Sequence, residues 1–310
     1  MIELHDLTKS YGGVKAVDAV SLSVPKGQIL GFLGPNGAGK TTTMRMITGY
    51  MPPTSGTITV DGLTMEKDSL AIREKIGYLP ELAPVYQDMN VLDYLHYVCA
   101  LRKIPKEQIH TRIKEVVDRC GLGAVLGKDV GQLSKGYKQR VGLAQAIIHN
   151  PEYLILDEPT AGLDPNQIVE IRALIKELGR EKTVILSTHI LSEVQATCSR
   201  VIIISGGKLV ADNTPEGLQA GLQGRTVLML TLKGNGDGAI SKLKSLPSVE
   251  EARNVQTGKS GESKFRVESA ANSDVREDVF KLAVSENWIV LEMIPETQSL
   301  EEVFHKLTAA

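Results

Sequence analysis

Cysteine is scarce in this sequence, and its spacing excludes the usual structural roles of that residue. The three cysteines, Cys99, Cys120 and Cys198, show no C-x-x-C spacing and are odd in number. A structural zinc site or a disulfide framework is therefore not expected, and unpaired thiols fit a reducing cytoplasm best.

Net charge is also nearly absent. The sequence has 35 Lys and Arg residues against 37 Asp and Glu residues, which leaves a formal charge of −2. This balance indicates no general surface for nucleic acid or anionic lipid, so we expect no nucleic-acid partner.

Long apolar runs are missing as well. No stretch reaches the roughly 18 apolar residues that suggest a membrane-spanning helix. The first residues, 1–6, lack the basic and then apolar pattern of a signal peptide. If the protein serves a membrane, we expect another chain to span it. Internal repeats, coiled-coil heptads and low-complexity tracts are not found either.

Hydrophobic periodicity predicts an α/β fold. Short alternating strands are predicted before residue 61, whereas residues 90–148 are helical, with helix starts at Asn90, Pro105 and Ser134. Strands separated by helices indicate a mostly parallel sheet with covered faces. The buried strands predicted for this sheet are 29–33, 153–156, 184–187 and 201–204.

A change of character after about Gly224 predicts a second domain. The predicted element order is βαββαβ, the split-βαβ or ferredoxin-like arrangement, and a terminal helix follows at 299–306. The predicted domains are 1–220, with its helical subdomain at about 85–148, and 225–310.

A phosphate-binding loop follows the first buried strand. Residues 34–41 read GPNGAGKT and match the G-x-x-x-x-G-K-[ST] pattern in full. Its glycines let backbone N–H groups face phosphates, and the next helix directs its positive end at them. A chance glycine turn is the alternative, but the strand before and the helix after the loop argue against it. The predicted nucleotide-binding residues here are Gly34, Pro35, Asn36, Gly37, Ala38, Gly39, Lys40, Thr41 and Thr42.

Two acidic residues directly follow the buried strand predicted at 153–156. Asp157 is predicted to reach Mg²⁺ together with the hydroxyl of Thr41, as in phosphate-loop nucleotide hydrolases generally. Glu158, one residue later, is predicted to polarise the attacking water. The alternative is a strand that ends in two solvated acids, and the phosphate loop makes that alternative weak.

A third motif lies between these two elements. Residues 133–140 read LSKGYKQR and resemble the LSGGQ-type signature of ABC ATPases. Ser134 begins a helix, so its hydroxyl and the helix end form an anion site, and Gly136 allows close backbone approach. Lys135 replaces the usual first glycine and Tyr137 the usual glutamine, so the match is partial.

The resemblance to ABC ATPases, strong over residues 1–215, implies roles for other residues. Asp164 resembles the acid of the D-loop, and His189 resembles the switch histidine near the γ-phosphate. Tyr11 resembles the aromatic residue that stacks on adenine. A structural histidine and a surface tyrosine are the alternatives.

One position departs from the family pattern. After Ile76-Gly77-Tyr78-Leu79-Pro80 the family usually has a glutamine that reaches Mg²⁺ and senses the permease, and here Glu81 stands in its place. Its carboxylate still offers an oxygen to Mg²⁺ but adds negative charge. Gln87 is a substitute candidate, although the register favours Glu81.

The resemblance implies an ATP-binding and ATP-hydrolysing subunit that uses Mg²⁺ and has a P-loop core with an antiparallel β subdomain and a helical subdomain. It also implies a head-to-tail dimer that powers a separate transmembrane permease from the cytoplasmic face of the membrane. The subfamily it most resembles is the ABC-2-type exporters, including those of gliding motility and of nitrous oxide reductase maturation. A soluble ABC ATPase acting on DNA or ribosomes is the alternative, and a non-hydrolysing regulatory module is a third.

Overall fold

The structure is a computed structural model of the chain. It describes residues 1–221, 225–233, 238–257, 262–270, 273–296, 304 and 307–308. The chain forms two compact units, the first containing Met1–Pro215 and the second beginning at Glu216. Of the terminal helix predicted at 299–306, only residue 304 lies within the described residues.

The first unit contains two sheets and a set of helices. Its strands are β1 (Ile2–Tyr11), β2 (Val14–Val24), β3 (Ile29–Leu33), β4 (Ser55–Val60), β5 (Leu63–Thr64), β6 (Ile76–Leu79), β7 (Tyr153–Asp157), β8 (Thr183–Thr188), β9 (Arg200–Ser205) and β10 (Lys208–Asn213). Its helices are α1 (Lys40–Ile47), α2 (Ser69–Lys75), α3 (Val91–Leu101), α4 (Lys106–Cys120), α5 (Lys135–Ile147), α6 (Pro165–Gly179) and α7 (Leu191–Thr197), and α8 (Pro215–Gly221) follows.

The smaller sheet of this unit is antiparallel, with strand order β2-β1-β4-β5. Along β1 and β2 the apolar side chains Leu4, Val20 and Val24 are buried, while most of the residues between them are partly or fully exposed. This alternation is the period-2 pattern of a sheet with one covered face, and it confirms the predicted antiparallel subdomain.

The larger sheet has the order β10-β9-β3-β8-β7-β6, in which only β10 pairs antiparallel. Strands β7 and β8 are buried along their whole length, as expected for a parallel sheet covered on both faces. Because parallel strands all point one way, the carboxyl ends of β3, β7 and β8 meet at one edge. The residues that follow these three strands therefore lie close together.

The helical part between β6 and β7 begins as predicted at Asn90, whose side-chain oxygen accepts a hydrogen bond from the Asp93 N–H at 2.9 Å. Helix α4 begins at Lys106, so Pro105 precedes the helix rather than opening it. Pro105 has an extended ψ of 138°, which places it at the cap position.

Helix α5 lies directly against β6. A Cβ added to Gly77 would stand 2.1 Å from the carbonyl oxygen of Ala146, so only glycine permits this approach. The contact holds the helix that starts after Ser134 against the strand that leads to Glu81.

The second unit is an antiparallel sheet with helices between its strands. Its elements are β11 (Arg225–Lys233), α9 (Ala239–Lys244), β12 (Val249–Thr257), β13 (Glu262–Ala270), α10 (Arg276–Ser285) and β14 (Ile289–Glu296). The strand order β12-β13-β11-β14 and the sequence βαββαβ confirm the predicted ferredoxin-like arrangement. Its core is formed by Leu228, Leu230, Phe265, Val267 and Val279 among others.

In the part of the chain that the structure describes, every helix is too short or too polar to cross a bilayer.

Candidate functional site

The phosphate loop joins the end of β3 to the first residue of α1. Gly39 has a φ of +108°, and a Cβ there would lie 2.4 Å from the carbonyl oxygen of Ala16. Both the left-handed backbone and the crowding require glycine. The loop therefore delivers the free N–H groups at the start of α1, which favour anions, to one side of the sheet edge.

Lys40 places a buried cation in this loop. Its side chain is only 6% exposed, and its ammonium donates to the carbonyl oxygens of Gly34 at 2.8 Å and Pro35 at 3.2 Å. The same Nζ lies 3.3 Å from Oε1 of Glu158. The lysine is thus fixed between the loop and the end of β7.

Asp157 is held by two hydroxyl groups. Ser187, its register partner on β8, donates to Oδ1 at 2.5 Å, and Thr41 donates to the same oxygen at 3.2 Å. Burial raises the pKa of Asp157, and the negative charge of Glu81 raises this pKa further, whereas the two hydroxyl donors act in the opposite direction.

The second carboxylate oxygen of Asp157, Oδ2, is buried and has no hydrogen-bond partner among the described residues. A buried, unpartnered carboxylate oxygen beside a threonine hydroxyl is the kind of ligand that Mg²⁺ prefers, and Mg²⁺ commonly takes one or two such protein oxygens together with substrate phosphates. The residues present therefore fit this cation.

Glu158 occupies a constrained position at the end of β7. Its φ of +49° is uncommon for a residue with a side chain, and its N–H donates to Ser187 at 3.1 Å. Oε2 lies 2.9 Å from Nδ1 of His189, which is the donor because an ionised carboxylate only accepts. The carboxylate is thus held between Lys40 on one side and His189 on the other.

Lys40, Thr41, Glu158 and His189 line one cleft of about 340 Å³, whereas the fully buried Asp157 is not among its lining residues. The cleft is lined by Ala16, Asn36, Gly37, Gly39, Lys40, Thr41, Thr42, Glu81, Glu158, Ala161 and His189. Glu81 faces this cleft, whereas Gln87 is not among the lining residues. The main-chain carbonyl of Gln87 instead accepts a hydrogen bond from the Gly131 N–H at 2.9 Å. Geometry therefore favours Glu81 over Gln87 as the residue near the metal.

The other predicted site residues do not line this cleft, as far as the structure describes the chain. Tyr11 is 48% exposed at the end of β1, and its hydroxyl donates to Sδ of Met51 at 3.1 Å. Gly34, Pro35 and Ala38 belong to the loop but not to the cleft wall.

Ser134, Gly136 and Asp164 form a second group. Ser134 caps α5 by accepting from the Tyr137 N–H at 3.4 Å, and Asp164 caps α6 by accepting from the Gln167 N–H at 3.0 Å. A Cβ on Gly136 would be 2.6 Å from Cδ of Gln167, so the starts of the two helices are packed together.

Sequence reasoning missed three buried polar residues near the cleft. Ser187 could have been found, because it ends a predicted strand at the same sheet edge as Asp157. Thr160 and Glu193 gave no such signal, although their side chains are hydrogen-bonded to each other in the interior.

Comparison with known proteins places these observations in context. A family model described as ABC transporter matches residues 17–161. The linearmycin resistance ATP-binding protein LnrL of Bacillus subtilis (strain 168) is 31% identical over 309 residues, which cover 99% of this chain and 98% of that protein. The bacitracin transport ATP-binding protein BcrA of Bacillus licheniformis is 44% identical over 214 residues, covering 68% of this chain and 69% of that protein.

Solved structures give the same picture. The ATP-binding subunit of an ABC transporter matches with a TM-score of 0.66 and 28% identity, covering 72% of this chain and 95% of that one. A dimeric, post-hydrolysis structure of the ATP-binding cassette MJ0796, bound to ADP and Pi, matches with a TM-score of 0.65 and 25% identity, covering 69% of this chain and 99% of that one.

The placement of Glu81 leads to a prediction about metal dependence. We expect Glu81→Ala to raise the Mg²⁺ concentration needed for half-maximal ATP hydrolysis about tenfold or more, because loss of a group that supports a metal site has effects of that size. Gln87→Ala is the matched control and should leave the Mg²⁺ titration unchanged. The opposite ranking of the two variants would contradict the assignment of Glu81.

Proposed function

The chain belongs to the family of ABC transporter ATP-binding proteins and is an ATPase of that family, and from this premise we propose that two copies act together to drive a separate membrane permease. The observation that carries the proposal is the division of the site. The phosphate loop, Glu158 and His189 share one cleft, whereas Ser134 and Gly136 lie at a helix start outside it. A second copy would complete each site.

In this proposal the ATP phosphates lie along the phosphate loop. Lys40, whose ammonium now bonds to loop carbonyls and Glu158, would exchange these partners for the β- and γ-phosphates. Thr41, Asp157 and Glu81 would hold Mg²⁺, which supplies charge neutralisation between the phosphates when bound. Tyr11 would stack on the adenine from its exposed position at the end of β1.

Glu158 and His189 would act on the attacking water and the γ-phosphate. The Glu158 carboxylate is fixed by Lys40 and His189, so it can orient and polarise a water molecule without first losing side-chain freedom. His189 is directed at the same region and is half-exposed toward the cleft. Catalysis here is positioning and charge stabilisation rather than covalent chemistry.

Glu158→Gln tests this assignment. We expect ATP binding close to the wild-type level, a fall in steady-state ATP hydrolysis of about a hundredfold or more, and accumulation of an ATP-bound dimer, because the amide cannot polarise water. Binding is measured by fluorescence titration, turnover by phosphate release and the dimer by size-exclusion chromatography with ATP. Turnover near the wild-type rate would eliminate Glu158 from this role.

The signature motif supports the pairing of two chains. The helix start after Ser134 presents a hydroxyl and free N–H groups, which together can bind an anion. This helix start lies outside the cleft of its own phosphate loop, so a nucleotide phosphate would have to come from a second chain. MJ0796, which this chain resembles, has been solved as a dimer with ADP and Pi. We place Ser134, Gly136 and the nearby Asp164 of one copy against the nucleotide held by Lys40 of the other.

Two inactive variants test whether the sites are shared. Ser134→Arg blocks the signature side and Lys40→Ala removes the phosphate-loop side, so each variant alone should be inactive. An equal mixture should recover up to about a quarter of wild-type ATPase activity, since half of its dimers are mixed and each mixed dimer has one complete site. Forced heterodimers without any recovered activity would argue against shared sites.

A surface of the first unit, formed by α2 and by the helical part between β6 and β7, suits a permease. We define the docking cleft by its lining residues, which are Leu70, Arg73, Glu74, Leu101, Arg102, Lys103 and His149, with a volume of about 290 Å³. Of the lining residues, Leu70 and Leu101 are largely exposed. Exposed leucines beside basic groups fit an amphipathic helix with apolar and acidic side chains.

We propose that this helix belongs to a membrane-spanning permease of the ABC-2 exporter type, which would hold the chain at the cytoplasmic face of the membrane. The names of two relatives, which concern bacitracin transport and linearmycin resistance, support an export role. The relative LnrL matches over nearly the whole chain, so the second unit is part of the comparison.

Affinity purification in mild detergent tests the partner. Wild-type chain should recover an integral membrane protein, identified by mass spectrometry, and Leu101→Glu should lower its recovery about tenfold because a charge replaces an apolar contact. Val210→Glu, on exposed β10 of the same unit, is the control. Equal recovery with both variants would show that the docking cleft does not bind the partner.

A further inference from the structure

A buried carboxylate lies behind the cleft and has no part in the roles assigned so far. Glu193, in the first turn of α7, is only 3% exposed. Among the described residues it forms no ion pair with a lysine, arginine or histidine, and its two oxygens accept hydrogen bonds from Thr160 and Thr188. Burial of a carboxylate without a cation is costly, and these hydroxyl donors offset part of that cost.

The two threonines come from the two loops that carry the reacting side chains. Thr160 is two residues after Glu158, and Thr188 immediately precedes His189. Thr160 donates to Oε1 of Glu193, and Thr188 donates to Oε2 at 2.7 Å. One carboxylate therefore joins the segment after β7 to the last residue of β8, which immediately precedes His189.

Thr188 extends this connection on both sides. Its hydroxyl oxygen accepts a hydrogen bond from the Ile190 N–H at 3.0 Å, and its carbonyl accepts one from the Gly34 N–H at 3.3 Å. The peptide groups on both sides of His189 are thereby fixed, and the same residue contacts the start of the phosphate loop.

We propose that Glu193 is a positioning residue for ATP hydrolysis, which holds the His189 and Glu158 loops in register so that Nδ1 of His189 stays on the Glu158 carboxylate. This inference rests on the roles proposed above for Glu158 and His189. Glu193 itself is not among the residues that line the cleft, so it would act through the two threonines.

Position 193 requires a side chain that accepts a hydrogen bond on each of two oxygens. The Glu193 carboxylate acts as the acceptor for both threonine hydroxyls, so their hydrogens point at it. The hydroxyl oxygen of Thr188 is then free to accept from Ile190. A glutamine at position 193 has nearly the same shape, but its amide donates on one side and competes with that arrangement.

Glu193→Gln is the first test, with Glu177→Gln on the exposed face of α6 as the control. We expect kcat for ATP to fall about tenfold or more and KM to change less than about twofold, because the phosphate loop still binds the nucleotide. A purely structural role would lower the melting temperature and the folded fraction while leaving kcat per folded molecule unchanged. Wild-type kcat in Glu193→Gln would overturn the inference.

A double-mutant cycle with His189→Ala shows whether Glu193 acts through the histidine. In the His189→Ala background, Glu193→Gln should lower kcat by less than about twofold more, because the group it positions is gone. If the two substitutions instead act independently, so that their fold-reductions in kcat multiply, the inference is overturned. A slow His189→Ala with a fast Glu193→Gln would reject only the role of Glu193, whereas a fast His189→Ala would reject the role of the histidine and this inference with it.

Thr160 provides a second variant if Glu193→Gln does not fold. Thr160→Val keeps the shape and removes the donor, so it should lower kcat in the same way, and Thr160→Ser, which retains the hydroxyl, should restore most of it. Equal kcat for the valine and serine variants would overturn the inference.

Discussion

The buried pair of Lys40 and Glu158 at the carboxyl edge of the parallel sheet is the interaction on which the rest of the site depends. Two charges removed from water are stable only when their remaining hydrogen-bonding groups are satisfied. The ammonium meets this condition with two loop carbonyls, and the carboxylate meets it with His189. The pair also joins the phosphate loop to the end of β7, so the lysine proposed to bind phosphates and the carboxylate proposed to orient water are held next to each other.

The parallel strands bring the residues of the site together. The side chains after β3, β7 and β8 come from distant parts of the chain, yet they meet because the strand ends lie side by side. Ser187 on β8 holds Asp157 on β7, and the Thr188 carbonyl holds the first glycine of the phosphate loop. Glu193 adds a connection from behind. The segments that follow β3, β7 and β8 are therefore connected to one another by hydrogen bonds.

Ser134, Gly136 and Asp164 lie outside the cleft, but contacts between helices connect them to it. Gly136 at the start of α5 packs on Gln167 of α6, whose cap is Asp164, and the loop leading to Asp164 begins at Glu158. A second copy that contacts Ser134 and Gly136 would act on the loop that begins at Glu158. In the proposed dimer, pairing of the two chains and hydrolysis would then depend on each other.

Some of this protein can be derived from its sequence by itself. The phosphate loop, the acids after β7 and the signature are contiguous, and their backbone chemistry depends on neighbours a few residues away. The periodicity of the strands predicts a mostly parallel sheet and a βαββαβ unit for the same local reason.

Only the tertiary structure decided the remainder. It placed Glu81 rather than Gln87 in the cleft, put Ser187 beside Asp157, and brought Thr160 and Thr188 onto the Glu193 carboxylate. The hydrogen bonds among these contacts join residues up to 33 positions apart. A short stretch of sequence does not predict which strand ends will be neighbours, because the strand order depends on the packing of the whole sheet.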